Sequence, residues 1–282
     1  MIGPGVVEGI AAAVSFGSGD FLGGIGAKRA GGMIVAAGSQ LVGAVALVLF
    51  LLIDGSPAPP ISSLAIAAGA GMFGVVGVAA LYRGLTLGSM GLVAAVSALG
   101  SVVLPLLVTV FVYRLAIGEL QVVGVACAAA AGAAASGAAR DAASRSALLL
   151  ALGAALAFGM WYVLLDLAAG DGELWALTTS RVTATVFMSG LALAVVRRGV
   201  ADRVRRAWPL MVFAGLFDVG GNVLFVLASS QIEVGLAAAL SGIYPLVTML
   251  LAWAILREKL PPLGLLGVGL ALTGIILISI GG

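Results

Sequence analysis

The chain has 282 residues, 62% hydrophobic and 9% charged, with a formal net charge of +2 and a mean hydropathy of +1.24. An average soluble domain is about one quarter charged, so no water-soluble fold hides this much apolar surface. The 14 basic residues sit in short clusters between apolar runs, without the aromatic-interleaved stripe of a nucleic-acid reader, which argues against a nucleic-acid partner. There is no histidine and one cysteine, Cys127, which removes disulfides, histidine catalysis and histidine-rich zinc sites together. Proton chemistry falls to carboxylates, and no cofactor is expected. The first apolar run lacks a basic segment before it and outruns a cleavable leader's core, so Met1 onward is expected to be mature.

A membrane-crossing helix needs about 20 largely apolar residues. Cutting the chain at its charge and Gly/Pro clusters gives ten such runs: 5–26, 31–53, 62–82, 90–113, 119–138, 146–168, 174–196, 208–228, 234–256 and 262–281. The segment from Asp54 to Pro60 cannot continue a helix, and five arginines between Arg197 and Arg206 mark a further loop. Twelve of the 14 cations follow odd-numbered spans: Lys28, Arg29, Arg83, Arg140, Arg145, those five arginines, Arg257 and Lys259. The opposite side holds only Arg114, and Arg181 lies inside a span. Lys and Arg stay on the cytoplasmic side, so both termini are expected outside the inner membrane.

An internal repeat divides the chain into residues 1–140 and 141–282. Phe16-Gly17 recurs as Phe158-Gly159, the separation of Phe73 from Gly91 recurs between Phe217 and Gly235, and Gly118-Glu119 recurs as Arg257-Glu258. Five helices per half force the second copy upside down, the inverted repeat of many secondary transporters. The expected fold is an all-α integral membrane protein, ten transmembrane helices in two inverted five-helix repeats.

The stretch Gly235 to Pro245, then Leu250 to Leu260 with its Trp253 and Arg257-Glu258-Lys259, then Gly267 and Gly274, resembles the EamA-like branch of the drug/metabolite transporter superfamily. A weaker copy lies in Gly91, Pro105, Gly118-Glu119 and Gly124, with Gly91 and Pro105 four residues further apart than Gly235 and Pro245. The resemblance implies a ten-helix carrier of small organic solutes, most often an exporter, working by alternating access. A central cavity would be lined by spans 1, 3, 4, 6, 8 and 9. The family's substrates vary, so the resemblance carries no substrate across.

Ionisable groups inside a membrane cost about 2.5–3.5 kcal/mol at mid-span, which makes each a functional candidate. Asp20, in the small-residue run Gly17 to Gly23, is a candidate substrate or proton site, or a partner of Lys28 or Arg29. Asp218 lies near mid-depth with Asn222 one turn on, a carboxylate and an amide able to hold an ammonium or a hydroxyl. Arg181, whose repeat equivalent is Gln40, either neutralises Asp218, binds a substrate carboxylate or snorkels outward. Phe158, Trp161 and Tyr162 share a helix face suited to apolar or cationic ligands, with Phe16 and Tyr244 as further candidate lining. Trp175, Trp208 and Trp253 near span ends read as interfacial anchors. Pro105 and Pro245, in equivalent spans, are candidate gating kinks.

No Walker-type phosphate loop, catalytic constellation or selectivity loop is present in the sequence. The expected activity is secondary or facilitative transport of an amino acid, amine or drug-like metabolite, not catalysis. The partners are that substrate, the lipid bilayer and, through Asp20 or Asp218, protons, with the chain a monomer or weak homodimer. The alternatives are an importer of the same fold, a channel or an intramembrane enzyme.

Overall fold

The structure, a computed structural model, describes residues 4–112, 114, 116, 118–138, 142–196, 199–232, 234–259 and 261–280. These form twelve helical segments: α1 Pro4–Ala30, α2 Gly32–Asp54, α3 Ile61–Leu87, α4 Met90–Ala98, α5 Gly100–Phe111, α6 Glu119–Ala138, α7 Ala142–Ala169, α8 Glu173–Val195, α9 Val200–Ser229, α10 Val234–Gly242, α11 Tyr244–Leu256 and α12 Pro262–Ile280. Segments α4 and α5 together make the fourth span, and α10 and α11 the ninth, giving ten crossings among the described residues. Eight of the ten are apolar enough over a full membrane thickness to cross by composition alone. Of the other two, α6 is apolar over the shorter stretch Glu119–Ala135, and α8 carries Arg181 and the polar run Thr178 to Ser180. Leu52, Ile53, Phe111 and Leu149 point outward on the bundle surface, where only lipid suits them.

The cations are built into helix ends more than into loops. Lys28 and Arg29 occupy the last turn of α1, where the helix dipole favours positive charge. The arginine segment read as a loop is helical in part: α9 begins at Val200, behind a left-handed Gly199, with Asp202 in its first turn. Arg203, Arg205 and Arg206 therefore extend the eighth span well before residue 208. Arg140, Arg197 and Arg198 lie outside the described residues, as does the expected boundary between residues 140 and 141.

Helix pairing follows the repeat. Exchanging spans 1 to 5 with spans 6 to 10 carries the packing of α1 on α9 onto that of α3 on α7. It carries α2 on α9 onto α3 on α8, and α1 on α11 onto α5 on α7. The pairs α2 with α8 and α6 with α12 map onto themselves. Close approach at the crossings depends on glycine. A side chain at Gly17 would meet the Tyr244 carbonyl and Val247, and one at Gly159 would meet the Gly100 carbonyl and Leu104.

Those crossings explain the broken spans. The interruptions fall at Leu99 and Ile243, each after a nine-residue segment, and the residue following each break turns its carbonyl to the glycine of the crossing helix. Pro245 stands at the start of α11, where its missing N–H costs nothing. Pro105 instead lies inside α5, six residues beyond the break, and structural register matches Pro245 with Ser101. The expected pairing of two proline kinks is thus corrected. The longer Gly91-to-Pro105 separation is a proline moved one turn along segments of equal length, not an insertion.

Candidate functional site

A cavity of about 740 Å³ opens between the two halves. At one end it is walled by Asp166, Ala169 and Glu173, and at the other it stops at Asp20, Ser39, Gln40 and Tyr82. The first end carries Glu8, Asp54, Glu119, Asp166, Asp171 and Glu173 against Arg114; the second carries Lys28, Arg29, Arg83, Arg145, Arg203, Arg205, Arg206, Arg257 and Lys259 against Asp202 and Glu258. Ser15 donates to the Phe217 carbonyl and Thr248 to the Gly17 carbonyl, tying α1 to α9 and α11 around the chamber.

Sequence-selected residues converge there. Phe16, Asp20, Pro105, Phe158, Trp161, Tyr162, Arg181, Asp218, Asn222 and Tyr244 all line the cavity, whereas Pro245 is buried in the α11 packing. Phe16 and Tyr244 meet edge-on at 6.0 Å, and Trp161 and Tyr162 do so at 4.7 Å. Phe16 lies over Gly221 and Phe158 over Gly77, equivalent glycines of the two halves that leave room for a ring. Trp161 Nε1 donates to Ser180 Oγ at 2.8 Å, which fixes the indole across from α8.

Arg181 does not snorkel. Its Nη1 donates to Gln40 Oε1 at 2.7 Å and lies 2.7 Å from Asp218 Oδ2, joining α8 to α2 and α9. Of the three alternatives the sequence leaves for Arg181, the structure takes the first, with Asp218 as its ion-pair partner. Asn222 gives its Nδ2 to the Asp218 backbone carbonyl, one turn back, leaving its amide oxygen for the chamber. Asp20 reaches neither Lys28 nor Arg29: the only ion pair among the described residues is Arg181 with Asp218.

The chemistry breaks the repeat where the packing keeps it. Position for position, Asp20 corresponds to Tyr162, Arg181 to Gln40 and Asp218 to Gly74. The scaffold does not require those charges, since its second copy stands without them. Sequence reasoning passed over Gln40, Tyr82, Asp166 and Glu173 as lining residues. The first two are neutral, and the latter two sit at helix ends where charge is ordinary.

The two ends of the cavity differ in packing. At the basic end Phe21, Ile34, Val35, Leu81, Tyr82, Leu85, Met90 and Val93 form one buried cluster. A side chain at Gly23 would overlap Tyr82, and one at Gly24 would press on Met90. Arg203 reaches across to the Ala30 carbonyl at 3.5 Å. Among the described residues the acidic end has a small cluster of Ala67, Ala168 and Ala176, with Leu165 against it. Packing of α1 on α3 and of α2 on α3 closes the basic end. Their repeat images, α7 on α9 and α8 on α9, make at most grazing contact among the described residues.

Residues 145–280 match the EamA-like transporter family. No curated protein matches the chain. One solved structure, described only as a protein crystal structure, superimposes with a TM-score of 0.63 at 16% identity, covering 96% of this chain and 97% of the other. That likeness shows the fold alone.

Proposed function

From the match of residues 145–280 to the EamA-like transporter family we propose that the chain is a multi-pass membrane transporter of small solutes that works as an alternating-access carrier. The observation that carries this reading is the broken symmetry of the cavity. One half's helices seal the basic end, and the same helices of the other half stand apart at the acidic end. Applying the repeat exchange to the packing would seal the acidic end and free the basic one, so the fold contains the plan of its opposite state. A carrier needs two such states; a channel needs a continuous path, and here Leu85 and Met90, both fully buried, stop it.

The charge asymmetry supports an orientation with the basic end in the cytoplasm and both termini outside the inner membrane. The structure then corresponds to an outward-open state. Transport is secondary or facilitative, in the direction of export by family likeness, with Asp20 the candidate coupling carboxylate where protons drive it.

The test uses single cysteines in a Cys127→Ser background, placed at Val163 in the open mouth and at Leu85 behind the seal, in protein reconstituted into vesicles. A carrier gives labelling at Val163 from the acidic side and at Leu85 only from the basic side, the two reactivities changing in opposite senses. Simultaneous access of both positions from one side identifies a channel. A cysteine appended to either terminus is expected to react with an impermeant reagent from outside, and reaction only after lysis reverses the orientation.

A further inference from the structure

We propose that the cavity selects an organic monocation, an amine or quaternary ammonium lacking a carboxylate, whose charge lies beside Asp20 and whose apolar body lies against Phe16, Tyr244 and Trp161. The inference rests on the carrier reading and names its substrate class.

The charge inventory comes first. The charged side chains lining the chamber are Asp20, Asp166, Glu173, Asp218 and Arg181, four carboxylates against one guanidinium. That guanidinium is engaged: Arg181 holds Gln40 and Asp218, each at 2.7 Å. Both contacts are made by Nη1, so a substrate carboxylate that takes the remaining N–H donors lies against the Asp218 carboxylate, like charge beside like charge in a low-dielectric site. The described lining offers an anion or a zwitterion no other cation. The chamber therefore disfavours amino acids as well as acids.

Asp20 supplies the attractive half of the argument. It sits at the closed end of the cavity, below the ring of Phe16 one turn earlier on α1, with no hydrogen bond or ion pair among the described residues. The protein does not compensate that charge, which leaves the role to a proton or a ligand cation. Aromatic faces are the natural wall for such a group, because their quadrupoles attract a desolvated cation, and Phe16 and Tyr244 meet just above Asp20. Tyr162 stands at the repeat-equivalent position, so packing alone accepts an aromatic residue there. A chamber of about 740 Å³ lies within the range of drug-sized sites, with room for an aryl or alkyl body. At the mouth, Asp166 and Glu173 raise the local concentration of cations without binding them tightly.

The experiment compares ligands of one shape and three charges. Phenethylamine, phenylalanine and 3-phenylpropionate, with phenyltrimethylammonium as a permanent cation, are titrated into the purified protein in lipid nanodiscs by calorimetry. The two cations are expected to bind saturably and at least tenfold tighter than phenylalanine, with no binding of 3-phenylpropionate. Asp20→Asn is expected to weaken cation binding at least tenfold, while Asp20→Glu, which keeps the charge, stays within threefold of wild type. Equal affinity across the three charges, unchanged affinity in Asp20→Asn, or no saturable binding of either cation overturns the proposal. Cysteine accessibility at Val163 and Leu85 needs no ligand, so a protein that alternates there and fails here loses its substrate class and keeps its carrier reading.

Discussion

The two ends of the cavity are built from equivalent helices and are packed differently. At the basic end, α1 to α4 bring bulky side chains into register: Tyr82 fills the space left by Gly23, and Met90 that left by Gly24. At the acidic end, the corresponding stretches of α7 to α10 leave the chamber open. In the alternating-access reading we propose, either end adopts either packing, and the difference marks a state of the molecule more than a difference in design. The closed end is a matter of glycine paired with a large residue, and the binding chemistry we propose is laid on top of it by three charges that the repeat does not share.

Substitutions that separate packing from chemistry sharpen this contrast. The largest effect is expected at Gly100, where any side chain would overlap the Ala155 carbonyl of the crossing helix. Gly100→Leu should cut the yield of folded protein at least tenfold by size-exclusion profile, since backbone cannot yield as a flexible side chain does. Gly23→Val should leave folding largely intact and pry Tyr82 from α1, opening the basic end. It is expected to reduce transport at least tenfold and to make a cysteine at Leu85 reactive from that side in substrate-free protein.

Asp218→Asn removes one partner of Arg181. It should cost about 1–3 kcal/mol, the penalty of an unpaired charged group, less than a fully enclosed pair because the Asp218 side chain is 39% exposed. Melting measurements should show the double variant Arg181→Gln with Asp218→Asn more stable than Asp218→Asn alone, and transport should fall in both. The smallest effect is expected at Gly190 and Gly269, where an added methyl meets nothing within 4 Å. Alanine at either should leave both transport and melting nearly unchanged, within about 1 kcal/mol.

Most of the fold is legible in the apolar runs, because length and hydropathy dictate where a membrane helix stands and leave few alternatives. The repeat is legible through Phe16-Gly17 and Phe158-Gly159, which serve equivalent crossings. Asp20, Arg181 and Asp218 are visible because charge inside a span is costly, but their pairing is not. Arg181 and Asp218 are 37 residues apart, 218 minus 181, and only the packing of α8 against α2 and α9 brings them together with Gln40. The break at Leu99 has no local signature, and Pro105 draws attention one turn too far. What sets that break is Ala155 and Gly159 on another helix, a tertiary cause that no window of sequence contains.

The central claim is that the two ends of the cavity open in opposition. Spin labels at Lys28 and Arg83, both exposed on α1 and α3 at the basic end, and at Ala169 and Val226 beside the open mouth, report the two gates by double electron–electron resonance. In wild-type protein without substrate, the basic-end distance should be short and narrow and the acidic-end distance long. Gly23→Val should lengthen the first and shorten the second together. If both distances lengthen, or the acidic end ignores the substitution, the ends are not coupled and the alternating-access account fails.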